Sequence, residues 1–424
     1  MIGKAIHNLA KKLWPINRSI TGSGIRDSLS IINNMLPDLK IIDVPSGTKV
    51  LDWIVPDEWN ITSAWIETPN GSKICNFEDN NLHVLGYSCP VEKYLDLDEL
   101  NEHLFSLPDQ PNAIPYVTSY YKKRWGFSIS DYERKKLKKG QYKVTIKSNL
   151  FKGVLNYGEL IIPGETKKEV FLSTYLCHPS MANNELSGPT VTTYLAKWIQ
   201  EKKRRYTYRI IFIPETIGSI AYLSKNIKSL KKNVIAGFNI TCVGDNRNYS
   251  YLPSRNGETL SDNVAKHILK HIDKNFICYT WRDRGSDERQ YCAPNVDLPI
   301  ASIMRTKYGA YNEYHTSLDN LTEVVTPKGL QGGYEALKLS IEAIENNYFP
   351  LTKITGEPQM GRRGLYPTLS TKEVNNEVRL MADFITFSDG KTSLIEIAEK
   401  CQVPVWSLYE LMYKLKEKKI IELL

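Results

Sequence analysis

The stretch EVFLSTYLCHPSMANNELSG, residues 169–188, decides the fold. It opens as a nearly continuous apolar run, the pattern of a strand buried on both faces in a parallel sheet covered by helices. At Cys177 it turns polar: His178, Ser180, Asn183, Asn184 and Glu185 share one loop ahead of a helix expected at Thr190–Glu201. In sheets of this kind, ligand groups gather on the loops that follow the carboxyl ends of the strands. That loop is therefore the first place to look for chemistry.

The alternation repeats downstream. YRIIFIP (208–214), VIAGFNITCV (234–243) and LPIASIM (298–304) read as further strands, and Ser219–Leu230, Asp262–Ile272 and Thr326–Asn346 as helices. The expectation for residues 151–350 is an α/β domain with a mixed, mostly parallel sheet and helices on both faces. Residues 1–40 read as a helix, a break at Pro15 with a TGSG turn at 21–24, and a second helix belonging to the same domain. Residues 41–150 carry short alternating runs, KVLDWIV (49–55) and SAWIET (63–68), and Asn70–Gly71 marks a hairpin turn. This is a β-rich accessory domain. After a linker, EPQMGRRG (357–364), helices at Glu373–Phe387, Ser393–Lys400 and Trp406–Lys418 and the strand IIEL (420–423) give a winged helix-turn-helix over 357–424.

Composition narrows the function classes. Of 424 residues, 42% are hydrophobic and 24% charged, so a sizeable core can form, and the length predicts two or three domains. The 25 tyrosines suit half-wet surfaces such as a ligand groove or a subunit contact. A net charge of +8 is mild and comes largely from solvated runs such as Lys135–Lys139 and Lys202–Arg205. The expected recognition helix of the C-terminal unit is largely apolar and carries Glu410 and Glu417, which favours packing over DNA reading. Nucleic acid is not an expected partner; a homo-oligomer through the winged helix or the accessory domain is. Seven scattered cysteines form no CxxC pair, which argues against a disulfide framework and a thiolate zinc site. With neither a signal core nor an apolar stretch long enough to span a bilayer, no membrane and a cytoplasmic location are expected.

The unusual residues fall on strand ends: His178 after the first strand, Glu215 after the second, Asp245 after the third, and His315 and Asp319 after the last. A metal-dependent hydrolase needs neutral imidazoles and carboxylates around an open coordination position, and a carboxylate to accept a proton from water. His178, Glu185, Glu215 and His315 supply these types. A second cluster, RDRGSDERQ (282–290), places Asp287 as a catalytic candidate and Arg289 as a substrate-binding one.

His178, the loop ANNELSG (182–188), PETIGS (214–219) and YHTSLDN (314–320), in that order, resemble the co-catalytic zinc aminopeptidases. NRSITGSG (17–24), DWIVPDEW (52–59), the aromatic segment 114–127 and the C-terminal winged helix resemble more closely a bacterial aminopeptidase-like family often found beside polysaccharide-biosynthesis genes. The resemblance implies a zinc-exopeptidase-like fold with His178 and His315 as metal ligands, Glu215 as general base or ligand, and Tyr314 beside the substrate. It also implies departures. The bridging carboxylate position holds Asn184, with Glu185 next to it; the partner of Glu215 is Thr216; the later strand-end aspartate is Thr241; and Ser180 stands where an aspartate would orient His178. Two divalent cations need carboxylates between them, so one zinc ion is expected rather than two, with His178, Glu185 and His315, and Asn184 at the bridging position, as its ligands and Glu215 as base. The implied activity is hydrolysis of a peptide or other amide bond, on a small peptide or on a sugar or polysaccharide precursor. The alternative is a metal-binding scaffold that keeps the peptidase fold.

Overall fold

The computed structural model describes residues 2–365 and 372–424. Eight strands form one mixed sheet: β1 (Lys40–Pro45), β2 (Val154–Ile162), β3 (Glu169–Tyr175), β4 (Thr207–Ile213), β5 (Val234–Asn239), β6 (Ser250–Leu252), β7 (Ile277–Cys278) and β8 (Ile300–Met304), in the order β1-β2-β4-β3-β5-β8-β6-β7. The central strands β4, β3, β5 and β8 run parallel. β1 and β2 join antiparallel at one side, and β6 pairs antiparallel with β8 at the other. Every residue of β3 is buried, as its apolar run requires.

Helices α1 (Ile2–Leu13), α2 (Ser23–Asn33), α3 (Ser187–Gln200), α4 (Ile217–Asn233), α5 (Leu260–Ile272) and α6 (Pro327–Asn346) cover the sheet. α1, α3 and α5 gather on α6, while α4 packs on β2 and β5. The Thr326 hydroxyl accepts from the Gly329 amide at the start of α6, with Pro327 in the first turn. No helix among the described residues is long and apolar enough to cross a membrane.

Two strands differ from their reading. The strand expected over 234–243 stops at Asn239, because Cys242 takes a left-handed φ of 53° that carries the chain off the sheet. Lys40–Pro45, grouped by sequence with the β-rich segment, is the edge strand of the central sheet. Its mostly exposed pattern is that of an edge strand, which by alternation alone looks like a solvent-facing hairpin.

The accessory segment folds as a four-stranded antiparallel sheet in which Glu58–Glu67 and Tyr142–Phe151 are central. It has its own core around Ala64, Ile66, Phe127, Val144 and Ile146. Asn70–Gly71 is its hairpin turn; Gly71 has φ 83°, and the Thr68 amide donates to the Ser72 carbonyl at 2.9 Å. At the C-terminus, helices Lys372–Phe387, Leu394–Cys401 and Tyr409–Glu417 are joined by a wing strand, Ile421–Leu423, that pairs with Pro350–Thr352. The unit is docked on α5: His267 Nδ1 lies 2.6 Å from Glu399 Oε1, and its Nε2 accepts from the Val405 amide at 2.9 Å. Leu394, Leu408, Met412 and Leu415 share the core that holds α6.

Two predictions follow from this packing. Gly188 starts α3 against the sheet, and a Cβ there would lie 2.4 Å from the Ile240 carbonyl oxygen and 2.5 Å from Thr174 Oγ1. Gly188→Ala is expected to destabilise the protein by about 2 kcal/mol, read as an earlier urea midpoint; an unchanged midpoint would contradict the close contact. The second concerns His267. Burial lowers its proton affinity and outweighs the opposing Glu399. With the folded pKa below the unfolded value of about 6.5, the stabilisation is present above that pH and lost as pH falls through the folded pKa. Protonated Nε2 also cannot accept from Val405. The hydrogen-exchange protection factor of the Val405 amide should therefore drop on acidification, and a pH-independent factor would refute the arrangement.

Candidate metal centre

The loop after β3 is built around one buried carboxylate. Ser180 takes a left-handed φ of 39°, and residues Ala182–Leu186 wind as a single wide π-turn before α3 begins. Such turns often mark functional sites. This one swings Glu185 back so that its Oε2 lies 2.7 Å from His178 Nδ1. Its other oxygen is 3.8 Å from Arg18 Nε, and the side chains of both Arg18 and Glu185 are fully buried. Arg18 also donates to the backbone carbonyls of His178 (3.2 Å) and Leu13 (2.6 Å). A carboxylate on Nδ1 fixes the imidazole tautomer and leaves Nε2 free to bind a metal. Nε2 points towards Glu215, 3.6 Å from its Oε2. Burial opposes a proton on His178, but Cys177 and Glu185 hold its pKa above the ordinary value. The Cys177 thiol is itself pushed up to about 11 by burial.

Glu215 follows β4. Its Oε1 accepts from Ser286 Oγ at 2.8 Å, and burial pushes its carboxyl above the ordinary range against the opposing pull of His178. The next residue, Thr216, has φ 63° and ψ −74°, a strained conformation for a β-branched residue. Asp287 holds it there: Oδ1 accepts from the Thr216 amide and from Ser219 Oγ, both at 2.8 Å. Burial, then Glu215, push Asp287 up to about 8. The hydrogen bonds that Asp287 accepts, from the Thr216 amide and from Ser219, shape the start of α4. Arg289 donates to Thr216 Oγ1 at 2.9 Å.

His315 comes from the long loop after β8, with φ 57°. Its ring stacks on Tyr314 (centroids 3.8 Å apart, planes at 17°), meets Tyr116 edge-on at 5.2 Å and stands 5.6 Å from the His178 ring. Burial, then His178, push its pKa down to about 3, so it stays neutral at physiological pH. The accessory segment clamps this loop: the Tyr116 amide donates to the His315 carbonyl (2.8 Å), and Ile114 and Ser317 exchange two hydrogen bonds.

His178, Glu215 and His315 line one cavity of about 390 Å³ with Ile20, Trp53, Tyr116, Tyr120, Tyr121, Cys177 and Arg289. Asn184, Glu185, Asp287 and Tyr314 stand behind its walls. Asn184 donates to the Tyr175 hydroxyl at 2.8 Å, and its Oδ1 is buried without a partner. Asp319 accepts from the amides of Asn183 and Asn184 and from the Tyr311 hydroxyl. Asp245 accepts from Asn183 Nδ2, from the Thr306 amide and hydroxyl, and from the Arg247 amide. Both aspartates are occupied in holding loops, and Thr241, at the later strand-end position, bonds the Tyr175 hydroxyl. Two imidazoles and one carboxylate line the cavity, and the nearby side chains whose potential ligand atoms all lie within 4.8 Å of one another are Cys177, His178 and Glu185. Sequence reasoning did not find the roles of Arg18, Ser286, Tyr116 and Trp53. Arg18 and Trp53 lie in motifs already noted at 17–24 and 52–59, without a chemical role attached to either.

Residues 7–347 match the family described as a domain of unknown function (DUF4910), and residues 349–423 match a winged helix-turn-helix domain. A Clostridium acetobutylicum protein named for polysaccharide biosynthesis and an aminopeptidase-like domain is 43% identical over 401 residues, 94% of this chain and 91% of its own. A crystal structure of a candidate peptidase from the same species superposes with a TM-score of 0.94 at 40% identity, covering 100% of this chain and 97% of that one. The zinc aminopeptidase of Bacillus subtilis (TM-score 0.59, 13% identity, 81% of this chain and 94% of that one) and a peptidase M28 precursor from Shewanella amazonensis (0.54, 13%, 84% and 98%) share the fold. The chain therefore belongs to the DUF4910 family, with an aminopeptidase-like α/β fold followed by a winged helix.

Proposed function

We propose that the protein is a zinc-dependent hydrolase of an amide bond, with one ion held by His178 and His315 and with Glu215 as proton acceptor. The observation that carries this reading is the fixed orientation of His178: Glu185 occupies Nδ1 at 2.7 Å, so Nε2 faces the cavity that Glu215 and His315 share. Zinc bound there would supply Lewis-acid activation of the amide carbonyl and of water. Glu215 is the one carboxylate among the cavity-lining residues. Its raised proton affinity suits it to take a proton at Oε2 while Ser286 holds Oε1. His315 stays unprotonated and so keeps a lone pair available for a metal. Ile20, Trp53, Tyr116, Tyr120 and Tyr121 give the cavity apolar and aromatic walls.

One observation favours a second reading. Glu185 is paired with Arg18 at 3.8 Å and with His178 Nδ1 at 2.7 Å without a metal, as in a retained scaffold. Metal analysis separates the two. Protein prepared without chelator and supplied with zinc should bind about one ion per chain, and His178→Ala and His315→Ala should each lose it; folded protein that takes up no zinc would establish the scaffold instead. Glu215→Gln should keep its zinc and lose amide turnover by about 100-fold or more, followed on a panel of peptides and acetamido sugars. Loss of the zinc together with the turnover would make Glu215 a ligand and remove it as the acceptor.

A further inference from the structure

We infer that the cavity is built for an amide that carries an anionic group and no free ammonium. The inference rests on the hydrolase reading for its reacting bond, but its charge argument stands on the cavity alone. An enzyme that trims free amino termini must hold a protonated amine, and a protonated amine needs an acceptor that is free. The cavity lining holds one carboxylate, Glu215: Ser286 engages its Oε1, and Oε2 is the proton acceptor of the hydrolase reading, so no second carboxylate lines the cavity to hold an ammonium. Glu185 lies behind the wall between Arg18 and His178. Asp287, Asp245 and Asp319 are buried on backbone amides and hydroxyls.

The cavity does offer a cation. Arg289 lines it, its side chain donates one hydrogen bond, to Thr216 Oγ1, and among the described residues it has no carboxylate partner within 4.0 Å. A guanidinium has five N–H donors in a planar fork suited to a carboxylate or phosphate, so most of its donors remain available. The Arg289 charge reaches Glu215, whose proton affinity it lowers, which places the two side chains within electrostatic range. An anion on Arg289 therefore sits beside the carbonyl that Glu215 and the histidines would address. Aromatic side chains line the cavity too. Trp53 and Tyr121 meet edge-to-face at 6.1 Å, are 39% and 54% exposed, and offer apolar ring surface to a sugar ring or an aromatic side chain. The shared chemistry is an N-acyl compound with a carboxylate or phosphate, either an acylated amino acid or an acylated amino sugar acid or phosphate.

Titration calorimetry with matched probes tests this and tells the two sources apart. N-acetylphenylalanine is compared with its neutral amide, and N-acetylglucosamine 6-phosphate with N-acetylglucosamine, on zinc-supplied and on chelator-treated protein. In whichever pair matches the natural source, the anionic member should bind about tenfold more tightly. Arg289→Gln should close that gap and Arg289→Lys should restore part of it. Because the gap is expected in metal-free protein too, it survives even if the hydrolase reading fails for want of zinc. A gap present only with zinc and unaffected by Arg289→Gln would place the anion on the metal and overturn the inference. So would tighter binding of phenylalanine amide, which carries the ammonium, than of N-acetylphenylalanine.

Discussion

Glu185, sunk between the guanidinium of Arg18 and the imidazole of His178, is the contact on which the rest of the site depends. An ionised carboxylate with no exposed surface persists only if it is paired and hydrogen-bonded. Arg18 supplies the opposite charge, and Arg18 in turn is anchored on the last carbonyl of α1 and on the backbone of His178. Two stretches distant in sequence are thereby locked together: the segment that ends α1 and the loop between β3 and α3. Removing the Arg18 charge would leave Glu185 unbalanced in the core. The arrangement orients His178 without the carboxylate two residues later that Ser180 has replaced.

Backbone strain recurs around this contact. Ser180, Thr216, Cys242 and His315, one on each of four strand-end loops, all take positive φ without being glycine. Non-glycine residues hold such conformations only where their surroundings over-determine them. The surroundings here are acidic. Asp287 accepts from the amide of Thr216, and Asp319 from the amides at the π-turn; Asp245 ties Asn183 to Thr306. Carboxylates at the mouth of a parallel sheet invite reading as metal ligands. Three of them instead satisfy backbone donors that four irregular loops leave open.

The central sheet was legible because β3, β4 and β5 are apolar runs with no competing period, and the loops that interrupt them begin where the runs stop. His178, Glu215 and His315 stood out for the same reason, and they do meet in one cavity. Pairings across long separations were not legible. Nothing in the spacing of Arg18 and Glu185 foretells their contact, since it depends on where α1 lands. One extra residue in the π-turn re-aims Glu185 without leaving a mark in composition. Edge strand β1 reads as its neighbours in the chain do, because an exposed edge has the same alternation wherever it pairs. The aromatic wall comes from the accessory segment, and Tyr116 brings it against the rings of both His178 and His315.

Charge decides how many ions such a centre tolerates. The acidic groups in contact with the histidines are Glu185 and Glu215, and Arg18 already offsets one of them. On the proposed reading, one divalent ion leaves the cluster with a single excess positive charge, and a second would leave three beside the buried His178 and Glu185. Excess charge of that order is costly at low dielectric, and the neutral Asn184 and Thr241 do nothing to lower it. A single excess charge is different. It can be met by the substrate, and Arg289 on the cavity wall adds to the same sign. On that reading, the neutral residues that leave no place for a second ion also leave the cavity suited to an anion rather than to a cationic amino terminus. Scarcity of carboxylates and choice of substrate charge are then one property of the electrostatics of the site rather than two.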